Sequence, residues 1–493
     1  MGTTTGQRSG DGAAQGTVGT PSEIGGVGTA AVERFLRSLE QEGIGPHGMV
    51  LLRNGQEVAK ASWAPYDPGA PHLMFSVSKS FTSTAVGLAV GEGRLALDEE
   101  VLDVLPTYAS RLARDNVRGM QVRHLLSMST GHDTDTMALM RALPEDDWVR
   151  IFVEAPVLYR PGTHWLYNSG ASFVLSAMVQ ARTGRTVVDY LRPRLFEPLG
   201  FEDVQWTANP RGLSLGGSGL RVRVAELARF GQLYLQDGVW EGRRLLPEGW
   251  VAQATAHHAV NGDPTTLDDW QQGYGYQFWR CRNGAYRADG AFGQFCIVHP
   301  AKQLVLALTS GSERNKRVME LFWEHLFPGA SDLDGPAPSF AGAPLQHLGS
   351  LPVPDAADVT ADDITWLEGR ELELPPNLLR LRSFALRFST GACVFIGTDE
   401  DGARHEVRCG RGEWVPGRTS LWECEEPAVP VELTARAGMD RDGAFVMAWQ
   451  YSETPFRRTL RVQRGAGGTV VDFDLDLPFW AEHKISARLA PGA

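Results

Sequence analysis

Residues 76–79 read Ser-Val-Ser-Lys, and the run behind them, Ser80-Phe-Thr-Ser-Thr-Ala-Val-Gly-Leu-Ala-Val-Gly-Glu-Gly93, sets small and apolar residues at helical spacing before closing on glycine. Such a helix is a buried one, so the rest of the chain has to be built around it with Ser76 at its N-terminal tip. A serine and a lysine three apart stand one above the other on a helix face and can meet without a loop to position them. A serine hydroxyl is a poor nucleophile at neutral pH, and Lys79 can serve as its base where burial and nearby cations depress the amine's pKa. Unpaired N–H groups of the first turn, at the positive end of the helix dipole, would meet an oxyanion forming beside Ser76. Ser-x-x-Lys also arises by chance at ordinary helix starts, so the tetrapeptide needs a context.

Composition narrows that context. A length of 493 residues suggests about three domains, and 43% hydrophobic with 22% charged residues is the balance of a soluble globular protein. A net charge of -12 argues against nucleic acid or an anionic membrane surface as a partner. Residues 1–28, rich in Gly, Thr and Ser and without an apolar core for a signal peptide, read as a disordered tail. No run of about 18 apolar residues offers a membrane span. Five cysteines (Cys281, Cys296, Cys393, Cys409, Cys424) without Cys-x-x-Cys spacing fit a reduced, cytoplasmic setting without structural zinc.

Along the chain, residues 30–42 form an amphipathic helix, and residues 48–60 a hairpin turning at Asn54-Gly55. Helical patterns dominate from about 95 to 270, among them 122–128, 171–181 and 224–235. Strand-like runs return at 274–279, 293–298 and 304–308, and a helix at 315–326 closes the unit. The sheet is therefore assembled from both ends of residues 29–330, with a helical region inserted between. Residues 331–349, rich in Pro, Gly and Ala, read as a linker. Short alternating strands from 350 to 493, such as 379–388, 431–435 and 469–475, predict a small all-β sandwich or barrel.

Two further motifs follow Ser76 and Lys79. Tyr167-Asn168-Ser169 sits just before a helix, and Ala288-Asp-Gly-Ala-Phe-Gly-Gln294 leads into a strand ending at His299. Glycines in that edge let a backbone approach another group closely. Taken singly, Tyr167 is a half-buried aromatic at a helix start and the glycine-rich edge is a plain turn. Taken in this order, they resemble the serine β-lactamase-like family of class C β-lactamases, penicillin-binding proteins, esterases, D-aminopeptidases and nylon-oligomer hydrolases, over residues 29–330.

That resemblance implies an α+β, β-lactamase-like fold: an antiparallel sheet flanked by helices, an all-helical region, and here a C-terminal all-β domain. It implies that Ser76 is acylated, that Lys79 is its partner, and that Tyr167 shuttles the proton between nucleophile and leaving group. The sequence leaves either Lys79 or Tyr167 as the acylation base, since a phenol with a pKa near 10 needs an adjacent ammonium to ionise. By the same alignment the N–H groups of Ser76 and Ala291 form the oxyanion hole. Ser169, Asp289, Gly290, Phe292, Gly293 and Gln294 line the substrate site, with His132 and Trp165 as further lining residues. No cofactor or metal is called for.

Departures from the family pattern carry information. Asp289 stands where β-lactamases carry the lysine of Lys-Thr-Gly, and an aspartate there would repel an anion. Ser169 replaces the asparagine of Tyr-x-Asn, keeping a hydroxyl but losing the two-way bonding of an amide. No candidate stands out for the deacylating glutamate of class A enzymes. These differences favour a small neutral or cationic amide or ester over a β-lactam. The alternatives are a β-lactamase or D-amino-acid-specific peptidase, and a non-catalytic binding or sensor module of the same fold.

Other signals are weaker. Gly212-Leu-Ser-Leu-Gly216 matches a nucleophile elbow but lacks the strand before and the helix after, and reads as a loop. Gly184 of Arg182-Thr-Gly184 reads as a helix C-cap. His257-His258 reads as an exposed loop, because adjacent histidines do not share a face.

Overall fold

The computed structural model describes residues 23–143, 146–332, 343–351, 366–377, 379–421, 430–465, 468–475 and 485–489. Strands Pro46–Arg53 and Gln56–Ala64 pair through the turn at Asn54-Gly55. Both turn residues have positive φ, 49° and 77°, the conformation that a two-residue hairpin requires and that Asn-Gly adopts most readily. This hairpin sits inside a seven-stranded sheet. Leu304–Ser310, Gln294–His299, Tyr286–Gly290 and Trp279–Arg280 extend it antiparallel on one side, and Leu345–Ser350 pairs in parallel with Gln56–Ala64 on the other.

Both faces of this sheet are covered, and the period of two in each strand decides which residue faces which core. Met49, Leu51, Phe295, Ile297, Leu306 and Leu308 pack with helices Thr29–Gln41 and Asn315–Leu321. Their neighbours Val50, Leu52, Cys296, Val298, Val305 and Ala307 face the opposite core, with helix Val224–Leu235 and the helical region. The helix that carries Lys79, Ser78–Gly91, crosses that core with every residue from Ser78 to Ala89 buried. It has no polar face because no side of it reaches water. Helix Ser169–Thr183 lies beside it, buried from Gly170 to Val179 and ended by Gly184 at φ 69°. The architecture is the α+β, β-lactamase-like one.

Ten further strands, from Glu371–Glu373 to Ile485–Leu489, form a second sheet. Its order follows the chain except that Val415–Thr419 pairs only with Val431–Met439, which lets Arg404–Arg411 meet the same strand in parallel over two residues. The core of this sheet includes Phe384, Phe395, Trp449 and Phe473, and it also takes in Leu73, Phe75 and Phe292 from the first unit.

Several expectations shift. The run at 274–279 is a strand only at Trp279–Arg280, because Gln277 adopts φ 62° and its amide turns inward to the carbonyls of Leu125 and Leu126. Residues 345–349 of the expected linker, with Ser350, are the parallel edge strand. The closing helix is α-helical over Asn315–Leu321 and widens into a π-helix at Phe322–Leu326. Residues 23–28 of the expected tail form a two-residue strand pair. Residues 1–22 and 333–342 lie outside the described residues, as does Cys424, while Cys281, Cys296, Cys393 and Cys409 are buried free thiols. Among the described residues no helix is long and apolar enough to cross a membrane.

Candidate active site

Ser76 lies in a 3-10 turn, Phe75–Val77, that runs into helix Ser78–Gly91. Its geometry is pinned from several sides: Met74 N donates to Leu220 O at 2.8 Å, Ser78 Oγ donates to Phe75 O at 2.5 Å, and Leu220 N donates back to Ser78 Oγ at 3.1 Å. Ser76 stays partly exposed while its neighbours Phe75 and Val77 are buried. Lys79 is 2% exposed. Its Nζ donates to Ser76 Oγ at 3.0 Å and to the Gly217 carbonyl at 2.8 Å, and stands 4.8 Å from the centre of the Tyr167 ring. The Tyr167 hydroxyl is hydrogen-bonded to Ser76. The three residues predicted from the motifs therefore converge on one hydroxyl.

Burial is the main reason that the Tyr167 phenol is pushed up from its ordinary pKa, and Asp289 and Asp135 push the same way against the Ser76 bond and Arg287. Tyr167 is thus a neutral phenol at physiological pH, a proton donor before anything else. Its backbone is fixed by the residue after it. Asn168 caps helix Ser169–Thr183, its Oδ1 accepting from Gly170 N at 3.0 Å and from Thr136 Oγ1 at 2.8 Å, while Asp135 Oδ1 accepts from Ser169 N at 2.8 Å. Asn168 is therefore a helix cap, and Ser169 is the partly exposed first residue of the helix. A Cβ on Gly217 would meet Ser169 O at 3.0 Å and Lys79 Nζ at 3.4 Å, so that glycine is what lets the loop carbonyl reach the lysine.

Aromatic rings wall this side of the cleft. Trp279 stacks on Tyr167, centroids 5.5 Å apart, and Trp165 meets Trp279 edge-on at 5.8 Å, with Tyr274 perpendicular to both Tyr167 and Trp279. Trp165 and Trp279 are partly exposed, so the wall is open to a ligand.

The third motif is the turn between strands Tyr286–Gly290 and Gln294–His299. A Cβ at Gly290 would lie 2.4 Å from Met74 O, and one at Gly293, φ 84°, would lie 2.0 Å from Ser310 Oγ. Both glycines are there because the turn is pressed against the serine turn on one side and the next strand on the other. Ala291 remains partly exposed. The two neighbours read as substrate contacts have other work. Gln294 is fully buried, and its Nε2 donates to the carbonyls of Ala291 at 3.2 Å, Phe292 at 3.1 Å and Ser310 at 2.8 Å, so it holds the turn. Phe292, at φ 61°, turns its ring away from the cleft onto Phe75 at 5.2 Å and Phe456 at 5.4 Å. Phe75 is itself at φ 46°. A non-glycine residue in the left-handed region costs about 1–2 kcal/mol, and here two such residues flank the proposed oxyanion donors.

Asp289 is buried under the cleft floor, and Arg287 Nε donates to its Oδ2 at 2.9 Å. Burial, the largest influence, raises the carboxyl's pKa, while Arg287 pulls it down. Arg287 also donates to Asp269 O at 2.9 Å and lies 4.1 Å from the Trp270 ring. The aspartate is not the bare repelling charge that the sequence suggested: the pair is neutral as a unit, and its guanidinium is committed.

His132 leaves the lining set. It is 1% exposed, with Nδ1 sharing a bond with Thr130 Oγ1 at 2.9 Å and Nε2 facing Phe152 O at 3.3 Å. Burial lowers its pKa to about 4, so it is a neutral packing residue. The loop at 212–216 leads into a contact that no local motif signals: Thr82 Oγ1 donates to Gly216 O at 2.7 Å beside the Gly217 carbonyl. His258 stacks on Tyr276 at 3.8 Å, and among the described residues no three His, Cys, Asp or Glu groups are placed to hold a metal.

Fold and cleft together define a serine hydrolase on the β-lactamase-like scaffold. The Beta-lactamase family model matches residues 36–325, more than half of the chain, and the chain belongs to that family. It is similar to 6-aminohexanoate-dimer hydrolase of Paenarthrobacter ureafaciens, 26% identical over 283 residues, which cover 53% of this chain and 71% of the relative. It is also similar to D-aminopeptidase of Brucella anthropi, 30% identical over 188 residues, 35% of each chain; it thus spans about a third of that relative's length. The crystal structure of SurE shares the fold over 94% of this chain and 98% of its own, with 20% identity and a TM-score of 0.50.

Proposed function

We propose that this chain hydrolyses an amide or ester bond through an acyl intermediate on Ser76. The observation that carries the reading is the convergence of Lys79 Nζ and the Tyr167 hydroxyl on Ser76 Oγ. Because the Tyr167 phenol is held protonated, Lys79 Nζ is the group left to take the Ser76 proton, along their 3.0 Å contact. Ser76 Oγ attacks the carbonyl, and the N–H groups of Ser76 and Ala291 receive the oxyanion. Tyr167 gives its proton to the leaving amine or alkoxide and regains one from the Lys79 ammonium. Water then attacks the ester, and its proton returns along the same pair to Ser76 Oγ.

Neutral or cationic substrates fit this cleft best. Arg287, the cation at the third motif, is committed to Asp289, and the wall of Trp165, Tyr167 and Trp279 favours apolar or cationic groups. The relatives' names, an aminohexanoate-dimer hydrolase and a D-aminopeptidase, point to amides. Binding without turnover is disfavoured by the same three-way contact, which a sensor would not need.

Treatment with a fluorophosphonate, followed by mass spectrometry, tests the mechanism. An adduct on Ser76 that disappears in Ser76→Ala is expected; an adduct elsewhere, or none, overturns it. Rates on p-nitrophenyl esters, amino-acid amides and a chromogenic cephalosporin then rank the substrates, with the anionic cephalosporin expected to be slowest.

A further inference from the structure

The second sheet reaches into the serine turn. Its hairpin between Phe445–Tyr451 and Arg457–Gly465 turns at residues 452–456, and this turn is bound to the segment ahead of Ser76. Leu73 N donates to Glu453 O at 2.7 Å. Arg221, on the strand that pairs with His72–Leu73, stands 3.5 Å from the Glu453 carboxylate. Tyr66 Oη donates to Thr454 O at 2.6 Å and accepts from Gln450 Nε2 at 2.5 Å. Phe456, 1% exposed, closes a trio of edge-to-face rings: 6.0 Å to Phe75, 5.4 Å to Phe292, with those two 5.2 Å apart.

The two rings that Phe456 holds belong to the residue before Ser76 and the residue after Ala291, both at positive φ. A residue in that region returns to extended or right-handed backbone unless its surroundings hold it there. We infer that the 452–456 turn is a positioning element of the active site, in which Phe456 locks Phe75 and Phe292 and thereby sets the spacing of the Ser76 and Ala291 N–H donors. The inference rests on the proposed hydrolase reading. Phe456 touches no reacting atom; it acts through the two phenylalanines.

Such a role predicts loss of turnover rather than of binding, since misplacing catalytic groups by about 1 Å costs about 100-fold. In the full-length protein, Phe456→Ala is expected to lower kcat on a p-nitrophenyl ester by about 30- to 100-fold, with KM changed by less than about threefold. Phe456→Leu, which keeps apolar bulk but not the ring geometry, should fall in between, about 3- to 10-fold. Phe384→Ala, equally buried in the same sheet but stacked on Phe395, should lower Tm while leaving kcat within about twofold. Fluorophosphonate labelling rates should follow kcat. A folded Phe456→Ala with kcat and labelling rate of the wild type overturns the proposal, as does a Phe384→Ala that loses as much turnover. If Phe456→Ala does not fold, a Phe456→Leu with unaltered kcat overturns it alone. A wild-type protein unlabelled at Ser76 would instead sink the hydrolase reading, so the two failures are distinguishable.

Discussion

Lys79 and Asp289 are two buried ionisable groups that both act on Tyr167, and they are partnered in opposite ways. Lys79 meets a hydroxyl and a carbonyl, Ser76 Oγ and Gly217 O; Asp289 meets a guanidinium, Arg287. Neutral partners leave a group free to change charge, because no counterion is stranded when a proton moves. An opposite charge locks it, since neutralising either member exposes the other to the full cost of burial. On the proposed mechanism the lysine corner exchanges a proton while the aspartate corner stays as it is.

Substitutions should separate the corners. Lys79→Met removes the proposed base, so kcat should fall by about 100- to 10,000-fold, while the protein unfolds within a few degrees of wild type in a thermal scan. Asp289→Asn should do the reverse. It leaves Arg287 buried against a neutral amide, and breaking a buried pair costs about 3–5 kcal/mol. A large drop in Tm with a smaller loss of kcat is expected; a Tm unchanged by Asp289→Asn would mean that Asp269 O, Cys281 Sγ and the Trp270 ring are enough to satisfy Arg287.

How much of this could be read from the sequence depends on how local each contact is. Ser76 and Lys79 are one helical turn apart, so their meeting is written in the spacing, and Asn54-Gly55 dictates its own turn. Arg287 and Asp289 are legible too, because residues two apart on a strand share a face. Gly217 could not be found this way. Its carbonyl reaches Lys79 because the loop packs against Ser169, and no local pattern records that. Phe292 misled for a backbone reason: a glycine-rich edge suggests a cleft lining, but φ 61° turns its ring toward Phe75 and Phe456. Nothing in the sequence marks Trp279, at the end of its strand, as the ring stacked on Tyr167.

A third kind of partnering lies where the second sheet meets the first, and it predicts the smallest effect. His47 Nδ1 and His72 Nε2 share a bond at 3.0 Å, His72 Nδ1 bonds Leu73 O at 3.1 Å, and Tyr66 stacks on His47 at 3.6 Å. Burial, chiefly, lowers the pKa of His72 to about 4, with Arg221 acting in the same direction, and holds His47 well below its usual value, aided by His72 and Arg457. These rings are folded neutral. A depressed histidine pKa means that the unfolded chain binds protons which the native one refuses, so its contribution is intact above pH 6.5 and is lost as pH falls from there toward 4. For His72 the loss between pH 7 and pH 5 is about 2 kcal/mol, and His132, also lowered to about 4, should lose a similar amount within the helical region. Thermal unfolding at pH 7, 6 and 5 should show Tm falling along that course, and His72→Gln should flatten it while His132 still contributes. An acid-insensitive Tm in the wild-type protein would mean that the histidine pair accepts a proton without disturbing the contact beneath Ser76.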